Sequence, residues 1–251
     1  MTGLLKDKVA VIVGGSGGIG EACVHLFADA GAQITLTHRP SADKAEKAQA
    51  ILKRLAGHGH LAAAVDVIDT ASIIALRERV QAQYGRCDIL INTAGFTKPV
   101  PHHDLDALDD DLIDRMFAVN WRGQFATIRA FAQLLKASGQ GLIVSVSSIA
   151  GSTGQGSSIA YCATKAGIDV MTKSLGRALA PEIRVLGVAP GVVDTGFVPG
   201  RGAEFNEKTA ATTPLRRVAS AEDVAKAILA CATHLPFSTG TTLVVDGGRS
   251  L

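Results

Sequence analysis

Tyr161 and Lys165 form a Tyr-x-x-x-Lys pair. On a helix, positions i and i+4 share one face, so a phenol and an ammonium at this spacing point into one cleft. Free tyrosine titrates near pH ~10. Acid–base work near neutrality asks for a value lower by roughly three units, about 4 kcal/mol in favour of the phenolate, and a neighbouring lysine cation pushes that way. Ser148 ends the run Ile143-Val-Ser-Val-Ser-Ser. A hydroxyl there either donates to a substrate carbonyl or is simply a polar strand end. Asn120 lies in a helical stretch, Val119-Asn-Trp-Arg-Gly123. Asparagine is a poor helix former, so it marks either a kink with a role or a tolerated position.

A second chemical signal is the run Gly14-Gly-Ser-Gly-Gly-Ile-Gly20. Glycines allow a tight turn and let the backbone approach a pyrophosphate, while a helix N-terminus offers free N–H groups and the positive end of its dipole. Such sites often carry an Asp or Glu at the end of the next strand to bind the adenosine ribose 2′-OH. Here that strand ends Thr37-His38-Arg39, with a cation and no acid. Arg39 is either an ordinary surface charge or the partner of a 2′-phosphate, which favours NADP over NAD. His38 adds charge when protonated, and Lys44 stands one helical turn on. Asp66 either accepts from an adenine amino group or caps its own turn.

These residues need elements to position them. Val9–Val13 is a continuous apolar run, as a strand buried on both faces requires. Further strands are expected at 34–37, 61–65, 88–92, 141–147, 184–189 and 242–245. Helices are expected at 21–30, 41–55, 70–84, about 108–136, 161–179 and 221–230. Ser41 and Thr70 are the expected N-caps, and Asp109-Asp110-Asp111 reads as an acidic helix start. Strand–helix alternation over the whole length predicts an α/β fold, a parallel sheet with helices on both faces. The one long irregular piece is 192–214, after the carboxyl end of a strand, and is read as a substrate lid.

Composition bounds the function. The chain has 251 residues, 47% apolar and 4% aromatic, with 27 glycines and a net charge of +2. This excludes a disordered chain, a coiled coil and a collagen-like repeat, and it offers no electrostatic case for nucleic acid. The cysteines Cys23, Cys87, Cys162 and Cys231 form no CxxC. His102-His103 has no third ligand nearby, so no metal is expected. No run approaches a membrane span, and the N-terminal stretch lacks a signal-peptide pattern. The expectation is a cytoplasmic protein.

Taken together the motifs resemble the short-chain dehydrogenase/reductase family, in its branch of about 250 residues that includes 3-oxoacyl-carrier-protein reductases. The matches are the glycine run, Asp66-Val67, Asn92-Thr-Ala-Gly95, Asn120, Ser148, Tyr161-x-x-x-Lys165, Pro190-Gly191 and Val245-Asp-Gly-Gly248, in family order over nearly the whole chain. The departures are Val13, Thr93 and Leu186, where Thr, Asn and Asn are usual.

The resemblance implies one doubly wound Rossmann domain over 1–251 with a seven-stranded parallel sheet. It implies a catalytic tetrad of Asn120, Ser148, Tyr161 and Lys165. Tyr161 would protonate the carbonyl oxygen and Ser148 would orient it. Lys165 would hold the nicotinamide ribose and lower the Tyr161 pKa, and Asn120 would position a relay water. The implied cofactor contacts are Gly14, Ser16, Gly17, Gly18, Ile19, Gly20, His38, Arg39, Asp66, Val67, Asn92, Ala94, Gly95, Tyr161, Lys165, Pro190, Gly191, Val193 and Thr195. The expected activity is NADPH-dependent hydride transfer between cofactor and a carbonyl or secondary alcohol, in a homotetramer or homodimer joined by the helices of 108–136 and 161–179. The alternatives are an NAD-dependent alcohol dehydrogenase and a catalytically silent dinucleotide-binding regulator. A carrier-protein substrate is disfavoured, because Gly139 and Ala180-Pro181-Glu182 stand where basic docking residues are found; Lys136 and Arg184 are the nearby cations.

Overall fold

The computed structural model describes residues 3–251. Its seven strands are β1 (Val9–Val13), β2 (Gln33–His38), β3 (Leu61–Ala64), β4 (Ile89–Asn92), β5 (Gly141–Val146), β6 (Ile183–Pro190) and β7 (Thr241–Val245). They lie in the order β3-β2-β1-β4-β5-β6-β7, and every pairing is parallel. The order reverses beside β1, between β2 and β4. In sheets of this type that reversal leaves a crevice at the carboxyl ends of the strands.

Alternate residues of each strand feed two apolar layers, because successive side chains point to opposite faces. Ala10, Ile12, Ile34, Leu36, Ile91 and Val144 pack with Phe27 of α1 (Gly18–Asp29), Ile51 of α2 (Ala42–Leu52) and Ile228 of α9 (Ala221–Thr233). Val9, Val11, Val13, Leu90 and Ile143 face Leu76 of α3 (Thr70–Tyr84), Phe131 of α5 (Gly123–Ala137) and Ile168 of α7 (Ile159–Ala178). Three helices per face bury β1 and β4 completely, which explains why both read as unbroken apolar runs.

Several expectations are corrected. The stretch 108–136 is not one helix. α4 (Asp110–Phe117) and α5 are joined by a π-helical segment, Ala118–Arg122, with Asn120 at its centre. Residues 192–214 are not wholly irregular, since α8 (Ala203–Thr212) lies within them, and the short α6 (Ala150–Thr153) follows β5. The cap of α3 is Asp69, whose carboxylate accepts from Ala71 N at 2.9 Å, not Thr70. Ser41 precedes α2 but its hydroxyl donates to Asp43 at 2.7 Å instead of capping the helix. Asp109 does cap α4, accepting from Leu112 N at 2.8 Å.

Candidate active site

The glycine loop leaves β1 and enters α1 directly. Gly14 has φ +83, and a Cβ there would stand 2.8 Å from Ala94 N; only glycine is unstrained at this turn. Gly14 N donates to Thr37 Oγ1 at 3.0 Å, which ties the loop to the end of β2. Thr93 Oγ1 donates to Val13 O at 2.7 Å, which ties it to the end of β4. The threonine that departs from the family pattern therefore clamps the loop.

The N-cap of α1 is Gly17, with no side-chain cap. By contrast α3, α4, α7 and α9 start under Asp69, Asp109, Ser158 and Ser220. The first-turn N–H groups of Gly18, Ile19 and Gly20 precede any i−4 carbonyl within α1, so the helix itself leaves them free. An uncapped N-terminus of this kind fits the anionic pyrophosphate of a dinucleotide.

At the neighbouring strand ends the outcomes differ. Arg39 is exposed, whereas His38 is buried and its Nδ1 lies 2.8 Å from Arg39 O, directed at the backbone. Lys44 pairs with Asp43 at 2.9 Å. One Asp66 oxygen accepts from Ile68 N at 3.1 Å and so caps its own turn. Asn92 is fully buried and its Oδ1 accepts from Thr127 Oγ1 at 2.7 Å, which directs its side chain into the core.

A cavity of about 710 Å³ opens at the carboxyl ends of β4, β5 and β6, beside the loop. Ser148, Tyr161 and Lys165 line it together with Ile19, Gly95, Pro190, Gly191, Val193 and Thr195. β5 delivers Ser148, and α7, capped by Ser158, presents Tyr161 and Lys165 one turn apart. Ser148 and Tyr161 line one cavity, and the Ser148 hydroxyl oxygen accepts from Ala150 N at 3.2 Å. Lys165 Nζ is buried, donates to Val146 O at 2.8 Å and sits 5.6 Å from the Tyr161 ring centre.

The sequence argument asked for a lowered phenol, and the free protein does the opposite. Burial pushes Tyr161 up to about 12, opposed by the nearby Ser148 hydroxyl and the Arg201 charge. Burial brings Lys165 down to about 8, opposed by Asp169. The site thus holds a neutral phenol, the form that can give a proton to a carbonyl oxygen.

Asn120 is brought close but not into the cavity wall. Its Oδ1 accepts from Phe96 N at 2.7 Å, and its Nδ2 donates to Phe96 O at 2.9 Å and to Thr164 Oγ1 at 3.2 Å. It is fully buried behind Gly95-Phe96, so its side chain fixes the loop after β4. The π-helical segment breaks the helix register at this residue, as such bulges often do at functional sites. His102 reaches Gly156 O at 3.2 Å. Among the described residues no cluster of three or more His, Cys, Asp or Glu is placed to hold a metal.

Sequence reasoning missed three contributors. Phe197 lies 6.2 Å from the Tyr161 ring, centre to centre. Arg201 and Arg249 line the same cavity. None belongs to a local motif, and only the fold brings them to Tyr161. Lys136 and Arg184 are not spare cations: Lys136 pairs with Glu182 at 2.9 Å, and Arg184 donates to the carbonyls of Cys231 at 3.1 Å and Leu235 at 3.0 Å.

A parallel sheet with a glycine loop at its reversal point and a Ser/Tyr/Lys cluster in the adjoining cavity defines a nucleotide-dependent oxidoreductase architecture. The family model described as enoyl-(acyl carrier protein) reductase matches residues 14–250. The chain is 36% identical to a ketoacyl reductase of the granaticin polyketide synthase of Streptomyces violaceoruber, covering 98% of this chain and 97% of that one. It is 37% identical to the cis-4-hydroxycyclohexanecarboxylate dehydrogenase of Sinomonas cyclohexanicum, over 96% of both. A short-chain dehydrogenase/reductase structure from Burkholderia xenovorans superposes with a TM-score of 0.89 at 32% identity, covering 96% of this chain and 97% of that one. The chain belongs to the short-chain dehydrogenase/reductase family, enzymes that use NAD(P)(H) to interconvert hydroxyl and keto groups.

Proposed function

We propose that this protein reduces a small-molecule carbonyl to a secondary alcohol with NADPH, and runs the reverse oxidation, with Tyr161 as the general acid or base. The observation that carries this reading is the convergence of Ser148, Tyr161 and Lys165 on a cavity beside an uncapped helix end. When bound, the dinucleotide supplies or accepts the hydride. The N–H groups of Ser16, Gly18, Ile19 and Gly20 would hold its pyrophosphate, with the Gly17 N–H closing the turn onto Gly14 O, Arg39 would hold a 2′-phosphate, and Asp66 and Val67 its adenine side. Asn92 would act through its backbone, with Ala94 and Gly95, and Pro190, Gly191, Val193 and Thr195 would border the nicotinamide.

In the reductive direction Ser148 and Tyr161 donate to the carbonyl oxygen and Tyr161 yields its proton to the forming alkoxide. Lys165 then stabilises the phenolate, because an opposite charge nearby favours the charged form. Asn120 is a positioning residue that holds Gly95-Phe96 against the site. The segment 192–214 covers the cavity as a lid. A carrier protein is not the favoured substrate, since Lys136 and Arg184 are engaged within the fold. Steady-state kinetics with NADPH and NADH against ketones, ketoacyl thioesters and 4-oxocyclohexanecarboxylate test the reading. Absence of turnover on the whole panel refutes it.

We also infer a homotetramer or homodimer built on α5 and α7. The Trp121 and Phe125 rings stack 5.8 Å apart on this surface, and Val170 beside them is 61% exposed. A monomer by sedimentation at micromolar concentration refutes this. No described helix is long and apolar enough to cross a membrane, which suits the proposed cytoplasmic location; cell fractionation tests it.

A further inference from the structure

The cavity wall opposite Ser148 is cationic. Arg201 enters from the segment between β6 and α8, with its guanidinium 4.4 Å from the Phe205 ring centre. Arg249 comes from beyond β7. Its Nη1 is held by Thr212 Oγ1 at 3.1 Å, Thr213 Oγ1 at 3.4 Å and Thr209 O at 3.5 Å. Both guanidinium-bearing side chains line the cavity that Tyr161 lines. The single carboxylate lining the cavity, Asp194, accepts from Asn206 Nδ2 at 2.8 Å. Neither arginine pairs with a carboxylate among the described residues. Two cations from segments 48 positions apart in the chain line one cavity, and their partners there are threonines, a carbonyl and a ring, none of which neutralises a charge. The Arg201 guanidinium stacks on Phe205 with no carboxylate partner, and a bound anion would supply one.

We propose that Arg201 and Arg249 recognise a carboxylate on the substrate, so that the preferred substrates are oxo acids and hydroxy acids whose reacting carbon lies at Tyr161. The proposal rests on the carbonyl-reductase reading of the same cavity and adds the class of substrate. A guanidinium presents a planar fork of donors that matches a carboxylate. Arg249, pinned by Thr212 and Thr213, gives a fixed anchor, and Arg201 closes over it from the more open side. Arg201 remains exposed, so its share is that of a partly screened charge, about tenfold in binding.

The test compares 4-oxocyclohexanecarboxylate with its methyl ester, and an acetoacetyl thioester of pantetheine with that of 4′-phosphopantetheine, in the wild type, Arg201→Gln and Arg249→Lys. The expected result is a kcat/KM at least tenfold higher for the acid than for its ester. Arg201→Gln should lose most of that ratio, through a rise in KM for the acid that exceeds the rise for the ester. Arg249→Lys keeps a cation for the threonines and lowers the ratio less. Equal rates on acid and ester in the wild type, or equal losses on both in Arg201→Gln, overturn the proposal. So does a phosphate preference that exceeds the carboxylate preference and vanishes in Arg201→Gln. Calorimetry with cyclohexanecarboxylate and saturating NADP+ or NAD+ reads the same site without turnover. Binding by the wild type that weakens tenfold in Arg201→Gln supports the proposal even where no ketone on the panel is reduced. No binding overturns it while leaving reduction of neutral ketones intact.

Discussion

Around Tyr161 the polar groups are already committed: Lys165 Nζ to Val146 O, Asn120 to both backbone groups of Phe96, and Ser148 Oγ to Ala150 N. Around Arg39 the side chains are loose. Arg39 is exposed, and Ser41 and Lys44 turn to Asp43. The reacting end is held by buried hydrogen bonds that cost free energy to disturb. The proposed cofactor-selecting end would depend on an exposed charge whose influence is screened. Chemistry is therefore the harder property to change by substitution, and cofactor choice the easier.

Tyr161→Phe should break the reacting end most completely. Turnover is expected to fall at least a thousandfold, about 4 kcal/mol in the barrier, with cofactor binding unchanged by fluorescence titration. Retention of a tenth of the activity would show that another group donates the proton.

Lys165 sharpens the contrast through pH. Its folded pKa is depressed to about 8 from 10.5, so between those values the unfolded chain binds more protons than the native one. Stability relative to Lys165→Met should then rise as pH increases through that window, by up to about 3 kcal/mol. Urea titrations from pH 7 to 10 check this. Tyr161 has the opposite sign: with its pKa raised to about 12 from 10.0, its contribution is complete below pH 10 and is lost above it.

Asn120→Leu leaves Phe96 N and O without their partner and should cost about 2–3 kcal/mol of unfolding free energy. A loss under 1 kcal/mol would mean that the loop after β4 is held by other contacts.

The smallest effect belongs to the loose end. NADPH should be preferred about tenfold over NADH, about 1.4 kcal/mol, and Arg39→Asp should abolish or reverse that. Equal kcat/KM for the two cofactors in the wild type would mean that the missing acid, not the arginine, carried the signal.

Much of this was legible from residue order because the signals are local. Short unbroken apolar runs made the central strands visible, and the glycine run and the Tyr161–Lys165 spacing survive without tertiary knowledge. The break at Ala118–Arg122 was legible only as a kink offered at Asn120, because apolar positions continue through it and a single extra residue per turn leaves the pattern nearly intact. The capping residue of α3 was off by one, since Asp69 and Thr70 are both good caps and only the backbone decides. The lowered phenol was expected from charge alone, whereas desolvation dominates once the ring is enclosed. Arg201 and Arg249 belong to no motif and meet only after β6 and β7 have paired.

The open end of α1 has a consequence for the lifetime of the protein. A ligand that completes those N–H groups binds the native state and not the unfolded chain, so resistance to heat and proteolysis must grow with ligand concentration. A dinucleotide at a hundred times its dissociation constant adds about 2.7 kcal/mol, a large share of a typical domain's margin. Abundance of the folded protein in a cell would then follow the supply of its own dinucleotide, rising when the pool is full and falling to the proteases when it is drained.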